Sequence, residues 1–172
     1  FVGLAVPDRE AVARHLLLQN FVAGCAMMGN AALRQRALPV SPEAVMHDWW
    51  LAMVAANMGR IVEVPEGLVL YRQHGGNMVG MRPSTLTDHA VRLLRDPMRN
   101  IRHARAWVLG ASRQAAAFAA AYEGRMPPEA HRLYCEFGEA PGQGFVRRKL
   151  FPVRHRARSN STARIAAASL FL

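Results

Sequence analysis

The longest uninterrupted apolar runs in the sequence, such as that from Ala115 to Tyr122, are only eight residues long. A helix that crosses a lipid bilayer needs about 20 apolar residues, so no segment of the chain is long enough to span a membrane. Apolar residues nevertheless make up 51% of the 172 residues, and charged residues make up 20%. These proportions exclude a globally disordered chain and predict one modest domain with its own buried core.

The net charge of +10 is concentrated near the C-terminus. Residues 141–172 contain seven basic and no acidic side chains, whereas residues 1–140 contain 15 basic and 12 acidic ones. The basic residues of this C-terminal segment are interleaved with apolar ones such as Phe145, Leu150 and Phe151. This pattern is typical of a contact with phosphate groups, on lipids or on nucleic acid.

A solvated terminus is an equally good interpretation of the basic segment. Nucleic acid is the weakest interpretation, because the sequence has no helix-turn-helix, zinc-finger or RNA-binding signature. The two cysteines, Cys25 and Cys135, are too few for a disulfide framework or a zinc site, which favours reduced thiols in a cytoplasmic protein. The chain begins at Phe1 without a basic and then apolar leader, so we expect no secretory signal peptide.

Residues 1–80 have the pattern of a mixed α/β region. Helical patterns with caps or stops occur at three places: Ala11 to Gln19, Asn30 to Arg36, and Trp49 to Met58, which Gly59 ends. Three short segments predict strands: Asn20 to Met28, Arg60 to Val64, and Gly67 to Tyr71.

Residues 84–140 have a helical pattern. We expect one helix from Ser84 or Thr85 to Arg95, broken by Pro97. A long alanine-rich helix should follow, from Asn100 to Tyr122, and Gly124 is its predicted stop. A last helix is predicted from the proline pair Pro127-Pro128 to Phe137, before a linker from Pro141 to Gly144.

The segment His47-Asp48-Trp49-Trp50 stands at the start of a predicted helix. An aspartate at a helix start accepts hydrogen bonds from free backbone N–H groups and meets the positive end of the helix dipole, so its negative charge is favoured there. An N-cap is the simplest interpretation of Asp48. The two tryptophans point about 100° apart on a helix. We therefore expect one ring to pack inward and the other to flank a pocket, unless the helix is largely covered.

A second segment delivers Arg72, Gln73 and His74 to the pair Gly75-Gly76. Adjacent glycines let the backbone approach a ligand closely and offer N–H groups to an anion. Arg72 is suited to phosphate and His74 to a metal ion. A histidine before two glycines is also typical of an ordinary surface turn.

A third segment is the apolar run that contains Gly24, which by itself indicates close packing. Together, however, the stretches LLLQNFVAGCAMMGNAAL and MHDWWLAMVAANMGRIVEVPEGLVLYRQHGGNMVG resemble the second half of bacterial family-two glycosyltransferases with the GT-A fold. The branch that they resemble most is the rhamnosyltransferase-like enzymes, which build lipopolysaccharide, capsule and other surface glycans. The resemblance covers about residues 14–80 closely.

This resemblance implies an α/β fold. Residues 1–80 would be the C-terminal, acceptor-side half of a Rossmann-like GT-A domain that lacks its donor half. A mainly α-helical extension would follow at residues 81–140, and a basic amphipathic tail at residues 141–172. The implied reaction is the inverting, metal-dependent transfer of a sugar from a nucleotide-sugar donor to a glycan or lipid-linked acceptor.

The resemblance also implies roles for single residues. Asp48 matches the catalytic base, and His74 matches the residue that helps to hold the divalent metal, Mg²⁺ or Mn²⁺, on the donor diphosphate. The two side chains should therefore face one shared cleft. The implied substrate-binding residues are Gly24, Cys25, His47, Trp49, Trp50, Arg72, Gln73, Gly75 and Gly76.

One feature departs from the family pattern. The donor-binding half of the family ends in an Asp-x-Asp metal motif, and none of the four aspartates of this chain is part of such a motif. We therefore expect a fragment that is inactive alone and that binds the metal only with the missing half. The expected location is cytoplasmic, with peripheral contact at the inner membrane face. The alternative is a non-catalytic module that binds a membrane surface or phosphate.

Overall fold

The computed structural model describes residues 9–70, 72, 96–144 and 151 of the chain. Within these ranges the backbone forms five α-helices, joined by irregular segments and two 3-10 turns. The helices are α1 (Arg9–Leu18), α2 (Ala31–Ala37), α3 (His47–Met58), α4 (Pro97–Ala121) and α5 (Pro128–Glu139). No residue of these ranges lies in a β-strand. The expected α/β fold, half of a Rossmann-like GT-A domain, is therefore wrong.

The predicted strands fall in irregular structure. The segment from Asn20 to Met28 is interrupted by a 3-10 turn at Gly24–Ala26, and the Met28 side chain is 99% exposed. Residues 60–70 form neither helix nor strand and are mostly exposed. A short strand is stable only where a neighbouring strand pairs with its N–H and C=O groups, so β-branched residues alone do not produce one. Within the described part of the chain no such neighbour exists.

Local caps fix the helix ends. The Asn30 side chain accepts a hydrogen bond from the Leu33 N–H at 2.9 Å, as the sequence predicts for the start of α2. Helix α3 ends at the predicted glycine, where the Gly59 N–H donates to the Ala55 carbonyl at 3.0 Å. Both contacts are local, which is why the sequence pattern predicts them correctly.

The start of α4 differs from the prediction. The sequence predicts a helix that starts at Asn100, whereas α4 starts at Pro97, which occupies the first turn, where its missing N–H costs nothing. The Asp96 carboxylate caps this helix by accepting from the Arg99 N–H at 2.9 Å. The helix predicted from Ser84 or Thr85 to Arg95 lies outside the described residues.

One hydrophobic core is shared by α1, α3, α4 and α5. Helices from both sides of the predicted boundary at residue 80 therefore bury side chains in the same core. Its largest fully buried side chains are Trp49, Trp50, Tyr134, Phe118 and Phe137.

The core also includes a residue of the predicted basic tail. Phe151 is 5% exposed, and its ring centroid lies 5.4 Å from that of Phe137 on α5. Its aromatic side chain is therefore part of the fold and is not available to insert into a membrane.

Buried polar side chains fix the helices relative to one another. The Gln114 amide oxygen accepts from the Val45 N–H at 2.8 Å, and the Asn57 amide donates to the Tyr134 hydroxyl at 3.2 Å. Burial raises the pKa of the Tyr134 phenol, which keeps it protonated and neutral. A polar group left unpaired in a core is costly, so these pairs favour one packing arrangement of α3, α4 and α5.

Helices α4 and α5 approach each other closely at Gly138. A side chain added there would place its Cβ 2.7 Å from Ala116 Cβ and 2.9 Å from Ala116 Cα. The Ser112 hydroxyl lies 3.0 Å from the Gly138 carbonyl, one turn away on the same side of α4. The crossing therefore depends on a glycine that faces another helix's backbone. No helix of the described residues combines the length and the apolar character that crossing a bilayer requires.

We predict that Gly138→Val lowers the free energy of unfolding by about 1–3 kcal/mol, because the helices must separate to admit the side chain. Urea unfolding followed by circular dichroism would measure the change. The control is Gly144→Val, since nothing lies within 4 Å of a Cβ at Gly144. Ala116→Gly should restore part of the loss in the double variant. A Gly138→Val protein as stable as the control would contradict the close crossing.

Candidate functional site

The Asp48 carboxylate lies at the N-terminus of α3. The loop that follows α1, which contains Asn20 and Gly24, contacts it there. Met46 is the N-cap, and its side chain makes no capping hydrogen bond. Asp48 therefore lies inside the first turn, two residues after the N-cap, and the interpretation of Asp48 as an N-cap is wrong. Its side chain is half-buried, and the His47 side chain beside it is exposed.

Three N–H donors surround the carboxylate. Asp48 Oδ2 accepts from the Gly24 N–H at 2.9 Å. Asp48 Oδ1 accepts from the Asn20 side-chain amide at 3.0 Å and from the Trp49 N–H at 2.8 Å. A carboxylate offers about four acceptor positions on its two oxygens. The arrangement therefore holds the charged group in one orientation and leaves Oδ2 with acceptor capacity.

Gly24 is a position without room for a side chain. An added Cβ would lie 2.9 Å from His47 Nε2 and 3.2 Å from Asp48 Oδ2. The close packing that the sequence indicates at Gly24 is thus against the His47-Asp48 pair. Two of the three sequence segments, 24 residues apart at Gly24 and Asp48, meet at one carboxylate.

Asn20 is a site residue that the sequence patterns do not single out. Its side chain accepts from the Val22 N–H at 3.0 Å and donates to the Val22 carbonyl at 2.8 Å, and the same amide nitrogen donates to Asp48. This turn directs the Gly24 N–H at the carboxylate. An asparagine directly after a helix is a common turn former, which is the signal that would have indicated it.

The two tryptophans do not line the site. Trp49 is 0% exposed and Trp50 is 2% exposed, so neither ring is open to a ligand. Trp49 Nε1 donates to the Leu16 carbonyl at 2.7 Å, and Trp50 packs edge-to-face on Phe118. The expectation that one ring flanks a pocket is wrong, because α3 is covered on both of these sides.

The remaining expected residues divide into two groups. Cys25 follows Gly24 and is exposed, and Arg72 is exposed as well. Gln73, His74, Gly75 and Gly76 lie outside the described residues, and so does the expected cleft between Asp48 and His74.

The described residues do not form a metal centre. No three histidine, cysteine, aspartate or glutamate side chains among them come together in a group that could hold an ion. Asp48 and His47 alone provide too few ligands for the six-coordinate geometry that Mg²⁺ requires. The described residues of this site therefore do not hold a divalent metal by themselves.

The arrangement suits proton transfer. An oriented, half-buried carboxylate with spare acceptor capacity and an exposed imidazole beside it can accept a proton from a hydroxyl group. Trp49 and Trp50 fix the turn that carries the carboxylate, so it is preorganised.

No protein-family model, curated protein or solved structure matches the chain.

We predict that Asp48→Ala lowers the free energy of unfolding by about 2–3 kcal/mol, because three N–H donors lose their charged acceptor. Asn20→Ala should cost about 1 kcal/mol, since it removes one of these donors and its turn. Urea unfolding at neutral pH would measure both.

The matched control is Glu43→Ala. Glu43 is exposed and pairs only at 3.8 Å with the exposed Arg113, so its removal should change stability by less than about 0.5 kcal/mol. An Asp48→Ala variant as stable as this control would contradict the hydrogen-bonded role of the carboxylate.

Proposed function

We propose that the chain is the acceptor-side part of a glycosyltransferase and that Asp48 is its general base. The parent protein would transfer a sugar from a nucleotide-sugar donor to a surface-glycan acceptor with inversion. The observation that carries the proposal is the contact of Gly24 with Asp48. Two segments that resemble the family-two enzymes contribute to one site, through the hydrogen bond from the Gly24 N–H to Asp48 Oδ2 at 2.9 Å.

The proposed reaction uses the free capacity of Asp48 Oδ2. The acceptor hydroxyl gives its proton to this oxygen while its own oxygen attacks the anomeric carbon of the donor. The bond from that carbon to the nucleoside diphosphate breaks, and the electron pair leaves with the diphosphate. A carboxylate held by three N–H donors needs little reorganisation to take part in such a step.

Acceptor positioning is assigned to the exposed groups near this oxygen. The His47 imidazole and the Cys25 thiol are exposed, and Gly24 places no side chain of its own beside Oδ2. Arg72 is a proposed phosphate contact, and His74 a proposed metal ligand. The divalent metal would neutralise the departing diphosphate, and the Asp-x-Asp motif of the donor half would supply its principal oxygen ligands.

We predict that the purified 172-residue chain transfers no sugar from any nucleotide-sugar, because it contains no Asp-x-Asp motif. Release of nucleoside diphosphate and radiolabelled glycan would be measured with a panel of donors and extracted acceptors. Turnover above the rate of a heat-denatured sample would contradict the fragment proposal.

In a parent protein that carries the donor half, Asp48→Asn should lower kcat by 10²–10⁴-fold while the donor Kd stays unchanged, since a general base acts on the acceptor. Asn20→Ala is the control for lost support of the carboxylate and should lower kcat far less. Formate added to Asp48→Ala should restore part of the rate, which a purely structural role would not allow. A normal rate for Asp48→Asn would assign the base elsewhere.

Peripheral contact with the inner membrane face belongs to the same proposal. Residues 141–172 carry seven basic groups and no acidic one, and lipid-linked acceptors would be met at that surface. Each basic group near an anionic surface contributes roughly 1 kcal/mol, and less as the salt concentration rises.

We predict that replacing the cluster Arg147, Arg148 and Lys149 by glutamine weakens salt-sensitive binding to phosphatidylglycerol vesicles. Substitution is preferable to deletion, because deletion would remove Phe151 from the core. Co-sedimentation at two salt concentrations would measure the effect. Binding equal to that of the unchanged chain would contradict the role of this segment.

A further inference from the structure

The first ten residues of α4, Pro97–Ala106, extend beyond the core. Eight of them are exposed, and only Asn100 and Ala104 are half-buried. Burial begins in the next turn, where Val108 is 1% exposed. This half of the helix is therefore held by the packing of its other half and presents most of its circumference to the surroundings.

The exposed half is strongly basic. Arg99, Arg102 and Arg105 project from it, and the whole of α4 contains no acidic residue. None of these three arginines forms an ion pair with another residue of the described part of the chain, whereas Arg113 further along α4 lies 3.8 Å from Glu43. Within the described ranges, no carboxylate lies within ion-pair distance of these three guanidinium groups.

Two large apolar side chains are exposed between these charges. Met98 is 68% exposed and Ile101 is 48% exposed. At about 100° per residue, Met98 lies between Arg102 and Arg105 when α4 is viewed along its axis. We define the α4 basic face by these five residues: Met98, Arg99, Ile101, Arg102 and Arg105.

We propose that the α4 basic face binds the surface of an anionic phospholipid bilayer. The arginines would contact lipid phosphates, and Met98 and Ile101 would enter the boundary between headgroups and acyl chains. The proposal is independent of the glycosyltransferase proposal. The α4 basic face would be a second membrane contact, besides the one proposed for residues 141–172.

A lipid surface fits this face better than nucleic acid does. Exposed apolar side chains gain by leaving water for the acyl boundary, whereas contacts to nucleic-acid phosphates need none. The face presents no aromatic ring on which a base could stack, because Trp107 of the same helix stacks on Trp49 at 5.3 Å. Asn100, the residue of this half suited to pairing with an adenine edge, is half-buried.

The face is also rigidly connected to the fold. Trp107, the residue directly after Ala106, donates from its Nε1 to the Leu18 carbonyl at 3.2 Å. A helix that is already formed loses little conformational freedom on binding, so a small number of contacts is sufficient for reversible association.

The test compares two triple variants of the full chain with the same loss of charge. The first is R99Q/R102Q/R105Q, which neutralises the α4 basic face. The control is R34Q/R125Q/R132Q, which neutralises three exposed arginines on other surfaces. Both variants retain the C-terminal segment, so any difference in their vesicle binding is due to the position of the removed charges.

Binding to phosphatidylglycerol vesicles would be measured by co-sedimentation at low salt. A basic residue near an anionic surface changes the partition coefficient about fivefold, so R99Q/R102Q/R105Q should bind roughly a hundredfold more weakly than the unchanged chain. The control should bind within about threefold of it, because charges far from the surface are screened. Vesicles of phosphatidylcholine should bind all three proteins weakly.

The apolar part of the face is tested by M98Q/I101Q. Binding that remains at high salt, where charge is screened, should fall about tenfold in this variant. Circular dichroism would confirm that each variant is folded. If the triple variant does not fold, R102Q alone replaces it, and this variant should bind about fivefold more weakly than the unchanged chain.

Equal binding of the α4 variant and its control would overturn the proposal. Tighter salt-sensitive binding to a DNA or RNA oligonucleotide than to vesicles, lost in the same variant, would assign the face to nucleic acid instead.

Discussion

The indole of Trp49 holds three helices together. Its ring is fully buried on α3, its N–H donates to the Leu16 carbonyl of α1 at 2.7 Å, and its face stacks on Trp107 of α4. Trp107 in turn donates to the Leu18 carbonyl, so both indoles bind the last turn of α1. Because the free carbonyls at a helix end need partners, these two bonds satisfy α1 while they fix its position. The orientation of α3 follows from this arrangement.

The candidate site depends on the same packing. Asp48 precedes Trp49, so the buried indole determines where the first turn of α3 presents its carboxylate. Asn20 and Gly24 belong to the segment that leaves α1, and they supply the donors that meet this carboxylate. A site made by one helix start and one loop is thereby placed on a rigid support. The same donors also stabilise the fold, because they pair a charged group at a half-buried position.

Sequence signals that act within one helical turn predict the helix ends correctly, whereas the signals for β-strands do not predict the structure. The Asn30 cap and the Gly59 stop act within one turn of their helices, so the sequence contains all the information that fixes them. Strands at residues 60–70 would require a partner that the same segment cannot specify. At the site, the sequence pointed to Gly24 and Asp48 separately through a family resemblance. Their direct contact could not be read from it, because it depends on the Asn20 turn and on the burial of both tryptophans.

The exposed segment at residues 60–70 has a consequence for handling the protein. Val62, Val64 and Leu68 are 65%, 58% and 76% exposed, and they lie in a β-prone stretch that forms neither helix nor strand. Such a stretch is a template for cross-β assembly when several copies meet. Pro65 interrupts it between charged Glu63 and Glu66, and residues of this kind act as gatekeepers against aggregation. Replacing Pro65 with a β-branched residue would join two short segments into one continuous aggregation-prone segment, without changing anything in the folded core.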